Sequence, residues 1–181
     1  MSYEEIKELF KKTLLSFKDD SKWLNAYFKE IKTLSNTKVG DVGQKFIENL
    51  CEKLNLSYKL PTNKKGHTKR QSPWDIEIEG IKFELKTATE DTHNKFQFNH
   101  IRYHRPYDGL ICLGVSPDDL YFNLYTKAEL TTGKAGKLVS MEKGANASYK
   151  LTKSKKELFF IKDFQDKFEE FKKRFEQLNN I

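Results

Sequence analysis

Residues 72–87 read SPWDIEIEGIKFELKT, and their alternation decides how the rest of the chain is organised. Ile76 and Ile78 alternate with Asp75, Glu77 and Glu79; past Gly80, Ile81, Phe83 and Leu85 alternate with Lys82, Glu84 and Lys86. Successive side chains of a strand point to opposite faces, so a period of two sorts these residues into an apolar face and a charged face. With a turn at Gly80, the segment reads as a β-hairpin. Its apolar face suits a core, and its charged face, expected to be accessible, gathers Asp75, Glu84 and Lys86. Two carboxylates can hold a divalent cation and an ammonium beside them can orient a water, which is the equipment of metal-assisted phosphodiester hydrolysis. A solvated sheet face with cross-strand charge pairs accounts for the same residues without chemistry.

Pro73, then Asp75 after one intervening Trp74, then Glu84-Leu85-Lys86, resemble the signature of the PD-(D/E)XK nuclease superfamily, which includes many restriction endonucleases. The resemblance covers roughly residues 40 to 125. In that superfamily a helix ahead of the hairpin often supplies a further acid. Glu48 is the best match here, Asp41 and Glu52 are alternatives, and Gln44 stands where some relatives carry Glu. The resemblance implies that Asp75 and Glu84, assisted by Glu48, bind one or two Mg²⁺ ions. It implies that Lys86 orients or helps deprotonate the attacking water, and that the products carry 5′-phosphates. Phe96-Gln97-Phe98-Asn99-His100-Ile101-Arg102 also resembles a stretch that follows the catalytic strand in some restriction-enzyme-like proteins. Read as a helix over 96–103, it offers Gln97, Asn99, His100 and Arg102 to bases or phosphates.

The chain has 181 residues, a length that suits one domain with a real core. Its net charge is +7 and its pI about 9.2. The excess is uneven. Residues 61–72 hold Lys64, Lys65, Lys69 and Arg70, with His67, and no acid; residues 133–156 hold seven Lys, among them Lys134, Lys137 and Lys153, against one Glu. Such runs suit a polyanion, because neutralising phosphates releases condensed counterions. A soluble face without a partner is the alternative. Cys51 and Cys112 lie in apolar runs without CxxC spacing, and no zinc, P-loop or serine-hydrolase motif occurs. With no apolar leader and no stretch of 18 apolar residues, the expectation is a cytoplasmic protein.

Helical spacing predicts three opening helices, over 2–17, about 20–34 and about 40–54. GLICLGV (109–115) reads as a strand buried on both faces. Leu120–Tyr125 reads as a strand, 126–130 as a short helix, 133–154 as mostly loop, 157–161 as a last strand, and Phe164, Phe168, Phe171 and Phe175 as one face of a final helix. The expected fold is a single α/β or α+β domain: a mixed sheet of four to five strands flanked by helices, restriction-endonuclease-like, with a helical extension over 1–38, a catalytic core over 40–125 and a basic segment with the last helix over 126–181. The expected activity is a Mg²⁺-dependent DNA endonuclease acting on duplex DNA, of the site-specific restriction type, with the opening helices as a homodimer interface. A repair or junction nuclease with the same site and a non-catalytic nucleic-acid-binding protein are the alternatives.

Overall fold

The computed structural model describes residues 2–16, 21–62 and 72–179. Among them are four α-helices: α1 (Tyr3–Ser16), α2 (Asn36–Lys53), α3 (Lys127–Thr131) and α4 (Phe164–Asn179). The strands are β1 (Tyr58–Lys59), β2 (Ile76–Ile78), β3 (Ile81–Thr89), β4 (Lys95–Ile101), β5 (Gly109–Val115), β6 (Leu120–Thr126), β7 (Leu138–Glu142), β8 (Ser148–Ser154) and β9 (Phe159–Phe160). The basic loop with Lys64, Lys65, His67, Lys69 and Arg70 lies outside the described residues.

The hairpin forms as its alternation predicts. β2 and β3 pair antiparallel with Ile78 opposite Ile81, around Glu79 and Gly80, both at positive φ (50° and 82°). Paired positive φ values match the right-handed twist of the flanking strands, and glycine takes one of them without strain. The Glu79 amide and carboxylate both bond to the main chain of Ser57, which fixes the tip.

The main sheet has six strands, ordered β1-β2-β3-β5-β6-β9, rather than the expected four or five. β3 and β5 run parallel and the other neighbours antiparallel. A parallel pair needs a crossover, and here β4 provides it by leaving the sheet to pair with β8 in a second, three-stranded sheet ordered β4-β8-β7. The result is three layers. On one face of the main sheet, Phe83, Leu85, Ile111 and Leu113 pack on Ile47 and Cys51 of α2 and on Phe164, Phe168 and Phe171 of α4. On the other, Ala88, Leu110, Cys112, Tyr121 and Tyr125 pack on Phe96, Phe98, Ile101 and Leu151 of the second sheet. β5 is therefore buried along its whole length, as its unbroken apolar run predicts.

Four expectations change. The segment 96–103 is strand β4 and not a helix. Phe96 and Phe98 face inward and Gln97 and Asn99 outward, a period of two. A bulge between Phe98 and Ile101, with His100 at φ 58°, returns Ile101 to the interior. Residues 133–154 are largely strand: the inward side of β8 carries Ser148, Leu151 and Lys153, too polar a set to betray a period. The second opening helix is replaced by two short 3₁₀ turns, Ser21–Trp23 and Lys29–Thr33. Its amides are taken elsewhere: Tyr27 N–H donates to Asp118 Oδ1 (2.9 Å) and Phe28 N–H to the Pro117 carbonyl (3.0 Å), so neither closes a helical turn. The third helix starts earlier than expected, at Asn36, with Ser35 accepting from the Lys38 amide.

α2 approaches β3 so closely that a Cβ on Gly43 would stand 1.8 Å from Thr87 Oγ1. On helix propensity alone Gly43→Ala would stabilise by about 1 kcal/mol. The clash should reverse that to a net loss of about 1–3 kcal/mol, read as a lowered midpoint in urea. Thr87→Ala in the same chain should restore part of it.

Candidate active site

The chemistry-bearing residues of the hairpin meet where β2 begins. The Asp75 amide donates to the Phe83 carbonyl (2.8 Å). Two residues along β3, the Leu85 amide points at the same edge, where β2 has not yet started; Asp75 Oδ2 accepts it at 2.8 Å. The carboxylate thus completes a ladder position that no strand fills.

Glu84 and Lys86 share the other face of β3, as the i, i+2 spacing requires. Lys86 Nζ lies 2.8 Å from Glu84 Oε1. Glu84 Oε2 accepts from the Arg102 amide (3.2 Å), just beyond the end of β4. This face is not open, contrary to the accessible face expected from the sequence. The second sheet covers it, leaving Glu84 4% exposed and the Lys86 side chain 19%.

Burial pushes the Asp75 carboxyl above its ordinary range; Lys86, the Leu85 amide and Arg105 pull it back, and the Glu84 charge adds to the rise. Arg105 also holds this corner, with Nη1 donating to the Ser72 carbonyl (3.1 Å). The Tyr107 hydroxyl is buried near Glu84. Burial, and after it the Glu84 charge, hold its proton far above the usual phenol range. Arg105 and Tyr107 join the site from the irregular stretch between β4 and β5, and no spacing in the sequence marks them.

Other anticipated residues fall elsewhere. Glu48 is buried on α2, paired with Lys45 (2.9 Å) and accepting from Gln44 (3.2 Å). Its neighbour Ile47 packs with Leu85 on the helix-covered face of the sheet. No hydrogen bond or ion pair joins Glu48 to Asp75 or Glu84 among the described residues. Asp41 is exposed, and Glu52 accepts from the Tyr58 hydroxyl (2.8 Å). Gln97 donates to Asp91 (2.8 Å) on the outer face of β4, where Asn99 is also exposed. His100, at the bulge, faces Glu142 (3.7 Å) and Ser148 (3.5 Å). Lys134 lies 3.8 Å from Glu129 and is solvent-exposed, as is Lys137. Lys153 is not a surface arm: it is 7% exposed, 3.3 Å from Glu157 and 5.5 Å over the Tyr125 ring.

Among the described residues no three of His, Cys, Asp and Glu gather as a metal-binding group. The Asp75–Glu84 pair is an oxygen-only donor set, which suits a hard divalent cation. A buried carboxylate that resists ionising beside a second one is the electrostatic deficit such a cation would relieve. The residues therefore fit Mg²⁺, through two side chains and not three.

No family model and no curated protein matches the chain. Among solved structures it is similar to a bacterial homing endonuclease, I-Ssp6803I, over 66% of this chain and 75% of that one, at 13% identity and a TM-score of 0.42. A likeness of that size bears on neither activity nor partners. No helix among the described residues is long and apolar enough to cross a membrane.

The raised Asp75 carboxyl has a consequence for pH. The folded chain holds this proton more tightly than the unfolded one. Its ionisation therefore lowers stability as pH rises from the ordinary value of 3.8 towards the higher folded value. Asp75→Asn removes this loss. In metal-free buffer the variant's stability relative to wild type should grow between about pH 3 and about pH 7 in urea titrations. A difference that stays constant across that range would contradict the assignment.

Proposed function

We propose that the chain is a Mg²⁺-dependent DNA endonuclease of the restriction type, with Asp75, Glu84 and Lys86 as its catalytic set. One observation supports the reading above the rest. Two carboxylates and an ammonium from a single hairpin converge at the start of β2 with their atoms already fixed, by the Leu85 amide, the Arg102 amide and the 2.8 Å Glu84–Lys86 pair. Side chains held by packing and by outer hydrogen bonds cost little reorganisation during a reaction.

In this reading Asp75 Oδ and Glu84 Oε hold the cation. Once bound, it would polarise the scissile phosphate and make a coordinated water more acidic. Lys86 Nζ orients the attacking water and sits where it can accept the negative charge that develops on the phosphate. Arg102, whose amide positions Glu84, presents its guanidinium towards the DNA backbone. In the same reading the exposed Gln97 and Asn99 on β4, with Lys134 and Lys137, offer contacts to duplex DNA. The basic loop over 64–70 adds to them in that reading.

Digestion of a sequenced plasmid with Mg²⁺, followed by mapping of the ends, tests the proposal. Wild type should cut, and EDTA should stop it. Asp75→Ala, Glu84→Ala and Lys86→Ala should each fall to roughly one-hundredth of the rate or lower while still binding DNA. Glu48→Ala, whose carboxylate is bonded to Lys45 and Gln44 and not to the set, should cut at close to the wild-type rate. Discrete bands support site-specific cleavage, whereas a smear would point to a repair-type enzyme. Binding without cutting at any metal concentration would leave only a binding protein.

A further inference from the structure

A cavity of about 390 Å³ opens between Tyr103, Tyr149, the end of α3 and the loop that follows it. The two sites are neighbours along the chain, because the Arg102 amide is hydrogen-bonded to Glu84 and Tyr103 comes next. The Tyr103 and Tyr149 rings lie 4.9 Å apart, tilted by 43°, and both border the cavity.

The lining also includes Gly133 and Gly136, both at positive φ (77° and 118°). A Cβ on Gly136 would lie 2.9 Å from Lys153 Nζ, so the buried ammonium stands directly behind this part of the lining. At the rim, the Thr131 hydroxyl donates to the Lys127 carbonyl (3.1 Å) and the Thr132 hydroxyl to the Ala128 carbonyl (2.7 Å). With their protons so engaged, both hydroxyls keep lone pairs with which to accept a hydrogen bond. Lys137 is exposed at the same rim.

We propose that this cavity receives one unstacked nucleobase of the DNA strand adjoining the scissile phosphate, an inference that rests on the endonuclease reading. The volume falls in the range of small-molecule pockets, from about 300 Å³ upward. The tyrosine pair offers a π-face on which any base stacks. The threonine hydroxyls can accept from an exocyclic amine, and the exposed Lys137 meets an adjoining phosphate. Because unstacking is least costly where a base is unpaired or mismatched, such positions should bind best.

The test uses the full chain with duplexes and single strands carrying one 5-iododeoxyuridine, moved position by position. Complexes are formed in EDTA, so nothing is cut, then irradiated, and the cross-linked peptides are identified by mass spectrometry. Cross-links from one position should concentrate on Tyr103 or Tyr149. Tyr103→Leu and Tyr149→Leu should remove them and weaken binding about tenfold, with unchanged melting temperatures. Bound DNA that cross-links only elsewhere, such as to the outer face of β4, overturns the proposal, and the wild-type map decides this even if a variant fails to fold. Parallel plasmid digestion with Mg²⁺ separates the two readings. Cleavage without pocket cross-links removes the base pocket alone. Pocket cross-links without cleavage remove the endonuclease reading and leave the pocket standing. No DNA binding removes both.

Discussion

The hydrogen bond from the Leu85 amide to the Asp75 carboxylate governs the centre of this molecule. β3 is enclosed by a strand on one edge and by packed layers on both faces, and β2 reaches it only from Ile76 onward. A buried amide left open at that point would cost roughly 1–3 kcal/mol. Asp75 closes it, and in doing so a carboxylate is held beside Glu84 and Lys86 by the requirements of the sheet itself. The arrangement also has a cost. Burial raises the Asp75 carboxyl, and Lys86 and Arg105 offset that only in part.

Much of the fold was legible because it rests on local periods. The hairpin, the wholly buried β5, the capped α3 and the phenylalanine face of α4 each announce themselves within a few residues. What the sequence concealed was decided at a distance. The apolar residues between 20 and 34 fit a helix, yet the amides of Tyr27 and Phe28 answer to Asp118 and Pro117, about ninety residues on. Phe96 and Phe98 carry a clean period of two that the bulge at His100 interrupts, so a helical reading was equally easy.

The site divides along the same line. Asp75, Glu84 and Lys86 were readable because one hairpin carries all three. Arg105 and Tyr107 were not, because they enter from an irregular connection. Lys153 misled in the other direction. As one of seven lysines in a basic run it looked like a surface arm, and the second sheet instead turns it inward over Tyr125. Nothing local in the charged face of the hairpin foretells a covering sheet built from residues 95–154.

That covering sheet sets the order in which the molecule can be completed. β4 finds its partner in β8, roughly fifty residues later in the chain, and long-range pairings of this kind form late. As the chain emerges during synthesis, the β2–β3 hairpin and the β5–β6 pair can assemble early from near neighbours. Glu84 acquires its settled contact with the Arg102 amide only when β4 is docked, and β4 has no strand to dock with until residue 154 has appeared. The carboxylates and the lysine are thus made well before the strand that encloses them, and are among the last residues to be put in order. A nascent chain would hold the parts of the site well before it holds the site.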